Sequence, residues 1–426
     1  MNAQNAQKHP KSWVSTLQWK LYCAAKYALG RSFGVLYDKV TTLETLEEAW
    51  KRVSRNGGAP GIDRQSIEDI KEYGVCRFLV ELQNDLKDDL YKVNVIKRVY
   101  IPKGEKDMRP LGIPTIKDRV AQMAVKLIIE PLFEASFLEC SLGYRPKRDN
   151  KEAARLAHKY SNTYKWVVDV DLKSFFDTID HEKLMCLLGK RISDSRILYL
   201  LRGWLKAGIL EYGNITKPEN GTPQGGVLSP LLSNIYLNEI DKLWHDNPSV
   251  KLVRFADDMV FLCKSKAQAE FVLRKLRGQL EKLKLTLNEE KTKIRHVEES
   301  FDFVGFTFRE AYSTRHKRMV VIKYPRAKSM KKICDNIKLT LKKMPNGTAL
   351  REVIKTVNPK LRGWAGYFKI GNSYREALKL SQYACEQLRI YWRRHKGRKD
   401  TRSYKRWPDK YFYQGGLLYV PHLIKA

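Results

Sequence analysis

Two adjacent acids, Asp257 and Asp258, interrupt the apolar stretch VRFADDMVFLC (253–263). Paired carboxylates repel each other, and desolvating them is costly unless something positive compensates. A second pair, Asp169 and Asp171, lies in WVVDVDLKSFFD. The side-chain period of a strand is two, so these acids share one face. If the two segments are neighbours, three carboxylates converge. Divalent cations make such a cluster tolerable. Mg²⁺ takes hard oxygen ligands, keeps one or two carboxylates and fills its shell with substrate phosphates. Two such ions, about 3.5–4 Å apart, stabilise both the attacking and the leaving oxygen of a phosphoryl transfer.

An Asp-Asp pair alone is commonplace at a turn. Its weight comes from the residues around it. Lys103 and Arg109 sit in the turn of a hairpin ahead of the acids, where two cations suit a triphosphate. GTPQGG (221–226) is a flexible loop with one amide side chain, Gln224, just before a helix. Phe175 and Phe176 closely follow Asp171. LNEEKTK (287–293) offers Asn288 and Lys291. Each has a plain alternative: surface charge, a turn, core packing or a helix cap. None decides alone.

The elements that must hold these residues follow from periodicity. Residues 12–53 read as helical, and RNGGAPGID (55–63) as a glycine-rich loop. Amphipathic helices are expected over 78–91, 117–137, 181–192 and 266–285. A long helix should follow the GTPQGG loop. Strands are expected at 96–102, 165–172 and 301–309, and 251–263 reads as two short strands with the acids at the bend. Beyond 311 two helices stand out, one with Met330, Ile333, Ile337 and Leu341 in a stripe, the other with Ala377, Leu380, Ala384, Leu388 and Tyr391.

Composition narrows the function class. The 426 residues carry 80 Lys+Arg against 47 Asp+Glu, a formal charge of +33. So basic a chain needs an anionic partner, and nucleic acid is the usual one. The span 312–426 holds 29 Lys/Arg and 6 Asp/Glu, which marks a compositional boundary near 311 and a basic C-terminal domain. No apolar run is long enough for a membrane span, and no secretory signal is evident. Residues 1–37 contain no acid and several Lys/Arg, a composition that fits an organellar transit peptide or a basic RNA-binding arm. The seven cysteines are scattered with no C-x-x-C pair, which suits a reduced cytosolic setting and argues against a structural zinc.

The ordered set IPKGEKDMRPLGIPTIKDRVAQ, LGYRPKRDN, VVDVDLKSFFDTIDHEKL, GTPQGGVLSPLLSNIYLNEID, VRFADDMVFL, LKLTLNEEKTKI and DFVGFTF resembles the successive blocks of reverse transcriptases. In detail it is similar to the reverse transcriptase/maturases encoded by group II introns, and LRGWAGYFKIG (361–371) resembles their thumb, or maturase, region. The resemblance covers about residues 50–395. It implies an α+β right-hand polymerase: fingers and palm of antiparallel sheet and helices, then a mostly helical thumb. The corresponding division is a basic extension (1–40), fingers and palm (41–311), thumb/maturase (312–395) and a basic aromatic tail (396–426).

The resemblance implies roles residue by residue. Asp171, Asp257 and Asp258 would be the catalytic acids holding two Mg²⁺, with Asp169 a flanking acid. Phe176 resembles the steric gate against a ribose 2′-OH, and Phe255 stands where the family's YADD motif has Tyr. Lys103 and Arg109 resemble the finger residues on the triphosphate, Gln224 the residue lining the nucleotide pocket, and Lys291 a base near the leaving pyrophosphate. Nucleic-acid contacts are expected at Arg145, Phe255, Arg393, Arg394, Lys396 and Arg398. In YWRRHKGRKDTRSYKRW (391–407) the rings of Tyr391, Trp392, Tyr404 and Trp407 alternate with cations, a pattern suited to phosphates and unpaired bases. With eight His and no paired Cys before Ala426, no endonuclease domain is expected. The implied partners are group II intron RNA, an RNA template with a DNA primer and, through the ribonucleoprotein, target DNA, in a bacterial cytoplasm or, as the alternative, an organelle. A splicing-only maturase and a domesticated or defence-associated reverse transcriptase are the alternatives.

Overall fold

The computed structural model describes residues 12–103, 107–223, 225–314, 317–345, 347–395 and 403–425. Its centre is a four-stranded antiparallel sheet in the order β6-β7-β3-β8, from Val250–Phe255 (β6), Asp258–Cys263 (β7), Trp166–Val170 (β3) and Lys293–His296 (β8). Both faces are covered. Val168, Val170, Leu252, Met259 and Phe261 enter one core, while Val167, Val253, Val260 and Leu262 enter another. A sheet buried on both faces reads as a nearly continuous apolar run, which is why KWVVDV shows no polar alternation.

The first core lies under the N-terminal half. Its centre is the helix Ile116–Glu134, buried along nearly its whole length. The helices Trp13–Tyr27 and Leu43–Asn56 pack on it. Leu43–Asn56 shows why such a helix forms. Leu46, Ala49, Trp50 and Val53 make one buried stripe, the Thr42 side chain caps the first turn, and Gly57 takes φ 65° at the end. Beside these helices stands a second sheet, ordered β2-β1-β4-β5. Its strands are Ile96–Lys103 (β1), Asp107–Ile113 (β2), Ile209–Glu211 (β4) and Asn214–Thr216 (β5). β1 and β2 form the hairpin expected around Lys103 and Arg109, in register from Lys97↔Ile113 to Lys103↔Asp107.

The second core joins the back of the central sheet to a three-stranded sheet and the C-terminal helices. That sheet is Phe301–Phe303 (β9), Phe306–Ser313 (β10) and Arg318–Pro325 (β11). Against it lie the helices Ala327–Lys343, Leu350–Phe368 and Tyr374–His395. Among the described residues no helix is long and apolar enough to cross a membrane.

The expected α+β body with a helical C-terminal region is what the chain forms, but several boundaries move. The compositional break near 311 falls inside β10, which pairs with β11 through Ser313↔Arg318. The helical part starts at Ala327, because charge changes along the chain before the sheet is complete. Residues 301–309 are two strands, not one, turning at Val304 and Gly305. Residues 12–40 are no separate extension, since Val14, Leu21, Ala25, Leu36 and Val40 belong to the first core. Residues 403–425 are no loose tail either. Trp407, Phe412, Leu417 and Val420 are buried in the second core. The helix Leu350–Phe368 was not anticipated. It contains Pro359 and buries Val353, Ile354, Val357, Leu361 and Trp364.

Candidate active site

The acids meet at the edge of the central sheet. β6 and β7 form a hairpin in which Phe255 pairs with Asp258, leaving Ala256 and Asp257 as a two-residue turn. Ala256 sits at φ 60°, in the first central position of the turn, where a left-handed backbone normally calls for glycine. Asp257 projects from the turn and Asp258 from the start of β7. On β3, Asp169 pairs with Val260, two residues along from Asp258. Asp171 follows just past the end of β3. Its amide donates to Thr292 Oγ1 at 3.3 Å, and its carbonyl accepts from the Asn288 amide at 2.8 Å. The strand period therefore places Asp169, Asp171 and Asp258 on the same side.

The carboxylates are close enough to shift one another's protonation. Asp257 is raised above the ordinary carboxylate range, chiefly by burial and then by Asp171, while Arg109 and Arg254 oppose the shift. Asp258 is pushed up to about 6 by the protein walls that strip its hydration and by Asp257 and Asp171, against the pull of Arg326. Its side chain still opens to solvent, so it is both crowded and reachable. Asp169 is also pushed up to about 6, by burial first, although Arg295 works the other way. The raised values reflect burial and mutual repulsion among neighbouring carboxylates.

Asp171 and Asp257 border an open cleft of about 660 Å³ that also touches Arg109, Tyr144, Phe176, Gly225 and Lys291. Arg109, on β2, is exposed. Lys291 Nζ lies 3.5 Å from Asp171 Oδ2. Phe176 lines the cleft while Phe175 is buried, the two rings meeting edge-on at 5.3 Å. The loop before the long helix Ser229–Lys242 is docked on this turn. The Thr222 amide donates to the Phe176 carbonyl at 2.7 Å, and Gly221 has room only for hydrogen against the Phe176 and Asp177 backbone. Gly225, at φ 98°, approaches Leu111 and Gly112 of β2 just as closely. Gln224 lies outside the described residues, as do the side chain of Lys103 and all of Lys396 and Arg398.

Two sequence expectations fail here. Arg145 is not free for nucleic acid. It is buried, donates to both carboxylate oxygens of Glu134, and its Nη1 donates to the Leu138 and Ser141 carbonyls at 2.6 Å each. Its neighbour Tyr144, at φ 58°, is the residue that faces the cleft. Tyr391, Trp392 and Trp407 are buried in the second core, which removes them as stacking surfaces. Tyr404 stays exposed, with the Arg389 guanidinium 3.9 Å from its ring centre. Phe255 is half-buried against the second core. Arg393 is half-buried and Arg394 exposed.

The donor set fits a hard divalent cation, since the convergent side chains are carboxylates with no His or Cys among them. Among the described residues no three His, Cys, Asp or Glu side chains are drawn tightly enough to enclose an ion unaided.

Comparison with known proteins agrees with this geometry. Residues 101–308 match the reverse transcriptase (RNA-dependent DNA polymerase) family, and residues 330–412 match the group II intron maturase-specific domain. Protein YkfC of Escherichia coli K12 is 37% identical over 361 residues, covering 74% of this chain and 93% of that one. This chain belongs to the group II intron reverse transcriptase/maturase family. The group II intron-encoded protein LtrA of Lactococcus lactis is 29% identical over 441 aligned positions, covering 82% of this chain and 73% of that one. The reverse transcriptase match spans β1 to β10 and so contains all four acids. The maturase match begins within the helix Ala327–Lys343. The chain is thus an RNA-directed DNA polymerase of this family.

Proposed function

We propose that this reverse transcriptase/maturase extends a DNA primer on an RNA template by two-metal phosphoryl transfer. We propose too that its basic C-terminal domain binds group II intron RNA to promote splicing and, through the ribonucleoprotein, retrohoming into target DNA. The observation that carries the polymerase reading is that Asp171 and Asp257 line one cleft with Arg109, while Asp258 stands beside Asp257 at the start of β7.

The primer 3′-oxygen forms a bond to the α-phosphorus of a dNTP, and the bond to the bridging oxygen of pyrophosphate breaks. Charge accumulates on the phosphoryl oxygens, so catalysis is mainly positioning and electrostatic stabilisation. Asp171, Asp257 and Asp258 would hold two Mg²⁺, whose chemistry is to favour the ionised 3′-oxygen and neutralise the phosphates. Arg109 offsets the triphosphate charge from the fingers, a role the family resemblance also gives Lys103. Lys291 stands ready for the departing pyrophosphate. Phe176, which lines the cleft, would exclude a 2′-OH, the family resemblance assigns Gln224 to the nucleotide pocket, and Phe255 would pack behind the primer end.

The test is primer extension on RNA with Mg²⁺ alongside splicing of the flanking intron. Template-dependent DNA synthesis is expected. Splicing without any synthesis would replace this reading with that of a maturase whose polymerase site is idle.

A further inference from the structure

Arg254 is the largest fully buried side chain of the described residues. A lone guanidinium inside a core is costly unless every donor is used, and here each nitrogen has a partner. Nε donates to Asp241 Oδ1 at 2.8 Å, and Nη2 donates to Asp241 Oδ2 and to Ser141 Oγ at 2.7 Å. Nη1 donates to Asn234 Oδ1 at 3.0 Å and to the Ala256 carbonyl at 2.9 Å. Asp241 and Asn234 belong to the buried helix Ser229–Lys242.

The last of these bonds is the informative one, because the Ala256 carbonyl directly precedes Asp257. Ala256 is also the residue held at φ 60° without the freedom of glycine. The other side of the turn is braced as well. The Asn234 amide donates to the Gly143 carbonyl at 2.8 Å, and a first side-chain carbon at Gly143 would stand 2.1 Å from the Ala256 nitrogen. The strained turn is thus gripped between the guanidinium and the 141–143 segment, with Asn234 bonded to both.

We propose that Arg254 is a positioning residue for polymerisation: anchored by Asp241, Asn234 and Ser141, it holds the Ala256 carbonyl and so sets Asp257 into the cleft and fixes Asp258 beside it. This rests on the reading that those two acids serve catalysis. An ion pair needed only for stability would require Asp241 alone. The hydrogen bonds to the turn and to Asn234 give the arrangement its direction.

The experiment compares Arg254→Lys with wild type in primer extension, measuring kcat, dNTP KM, half-saturating Mg²⁺, template–primer Kd and thermal midpoint. Lysine keeps the charge but cannot span four partners. Small misplacements of reacting groups cost up to about 100-fold, so kcat should fall about 10-fold or more and the Mg²⁺ requirement rise. Template–primer Kd should stay within about 3-fold. A folded Arg254→Lys enzyme with wild-type kcat and Mg²⁺ requirement overturns the proposal. So does a kcat loss matched by an equal loss of template–primer affinity. If Arg254→Lys does not fold, Asn234→Ala decides, with reduced kcat supporting the proposal and wild-type kcat overturning it. Asp257→Ala is the control. Its retaining activity would sink the reading of the site itself, independently of Arg254.

Discussion

Lys291 Nζ stands 3.5 Å from Asp171 Oδ2, which links the loop after the helix Lys266–Lys282 to the end of β3. Lys291 is largely exposed, so the pair contributes only about 0–1 kcal/mol to stability. Its value lies in where it puts a cation, beside an acid of the proposed catalytic cluster. Lys291→Ala should leave the thermal midpoint nearly unchanged and raise dNTP KM or lower kcat by about 10-fold, from one lost charge–phosphate contact worth about 1.5–3 kcal/mol. Steady-state kinetics checks this, and unaltered kinetics would return Lys291 to the solvated surface.

Asp257→Ala combined with Asp258→Ala should abolish primer extension, because Asp171 alone cannot hold two cations. Both acids are distant in sequence from the maturase-specific match at 330–412, so splicing of the intron should persist. The two assays run side by side on one preparation. Residual synthesis would sink the assignment of these acids.

Phe176→Ala should enlarge the cleft beside the sugar and increase ribonucleotide incorporation. The backbone there is held independently, by the Thr222 amide on the Phe176 carbonyl, so the loop should stay in place. Competition between dNTP and NTP reports the effect, and unchanged discrimination removes the gate.

Asp169 and Asp258 are both pushed up to about 6 in the folded chain, against about 3.9 when unfolded. Between those values the folded state binds more protons than the unfolded one, so stability falls as pH rises through that window. Cation-free protein should therefore show a higher thermal midpoint near pH 5 than near pH 7. Asp258→Asn should flatten this slope, and added Mg²⁺ should raise the midpoint at pH 7. Thermal melts at several pH values with chelator present provide the measurement.

RNA affinity should fall steeply with salt, as phosphate contacts release counterions. Replacing Arg393 and Arg394 together by alanine should weaken binding across RNA sequences and reduce the salt slope by about 1–2. Filter binding over a salt series reads this directly, and an unaltered slope would place the RNA contacts elsewhere.

Much of this protein was legible before any tertiary contact was known. The period of two in WVVDVD and the apolar run around Asp257 and Asp258 depend only on local geometry, and so do the stripes of the long helices. The ordered blocks identified the family. What only the folded chain decided was where each side chain finds its partners. Arg145 and Tyr144 are adjacent, yet a left-handed backbone at Tyr144 sends the ring to the cleft while the guanidinium goes to Glu134. Tyr391, Trp392 and Trp407 look like a stacking surface in a basic stretch, but the C-terminal helices bury them. Arg254 shares β6 with Lys251, and its parity, that of Leu252, points into the first core. Its anchors Asp241, Asn234 and Ser141 lie 13, 20 and 113 residues away, beyond the reach of any local pattern. Periodicity shows which face a residue takes; what waits on that face is set by packing between distant segments.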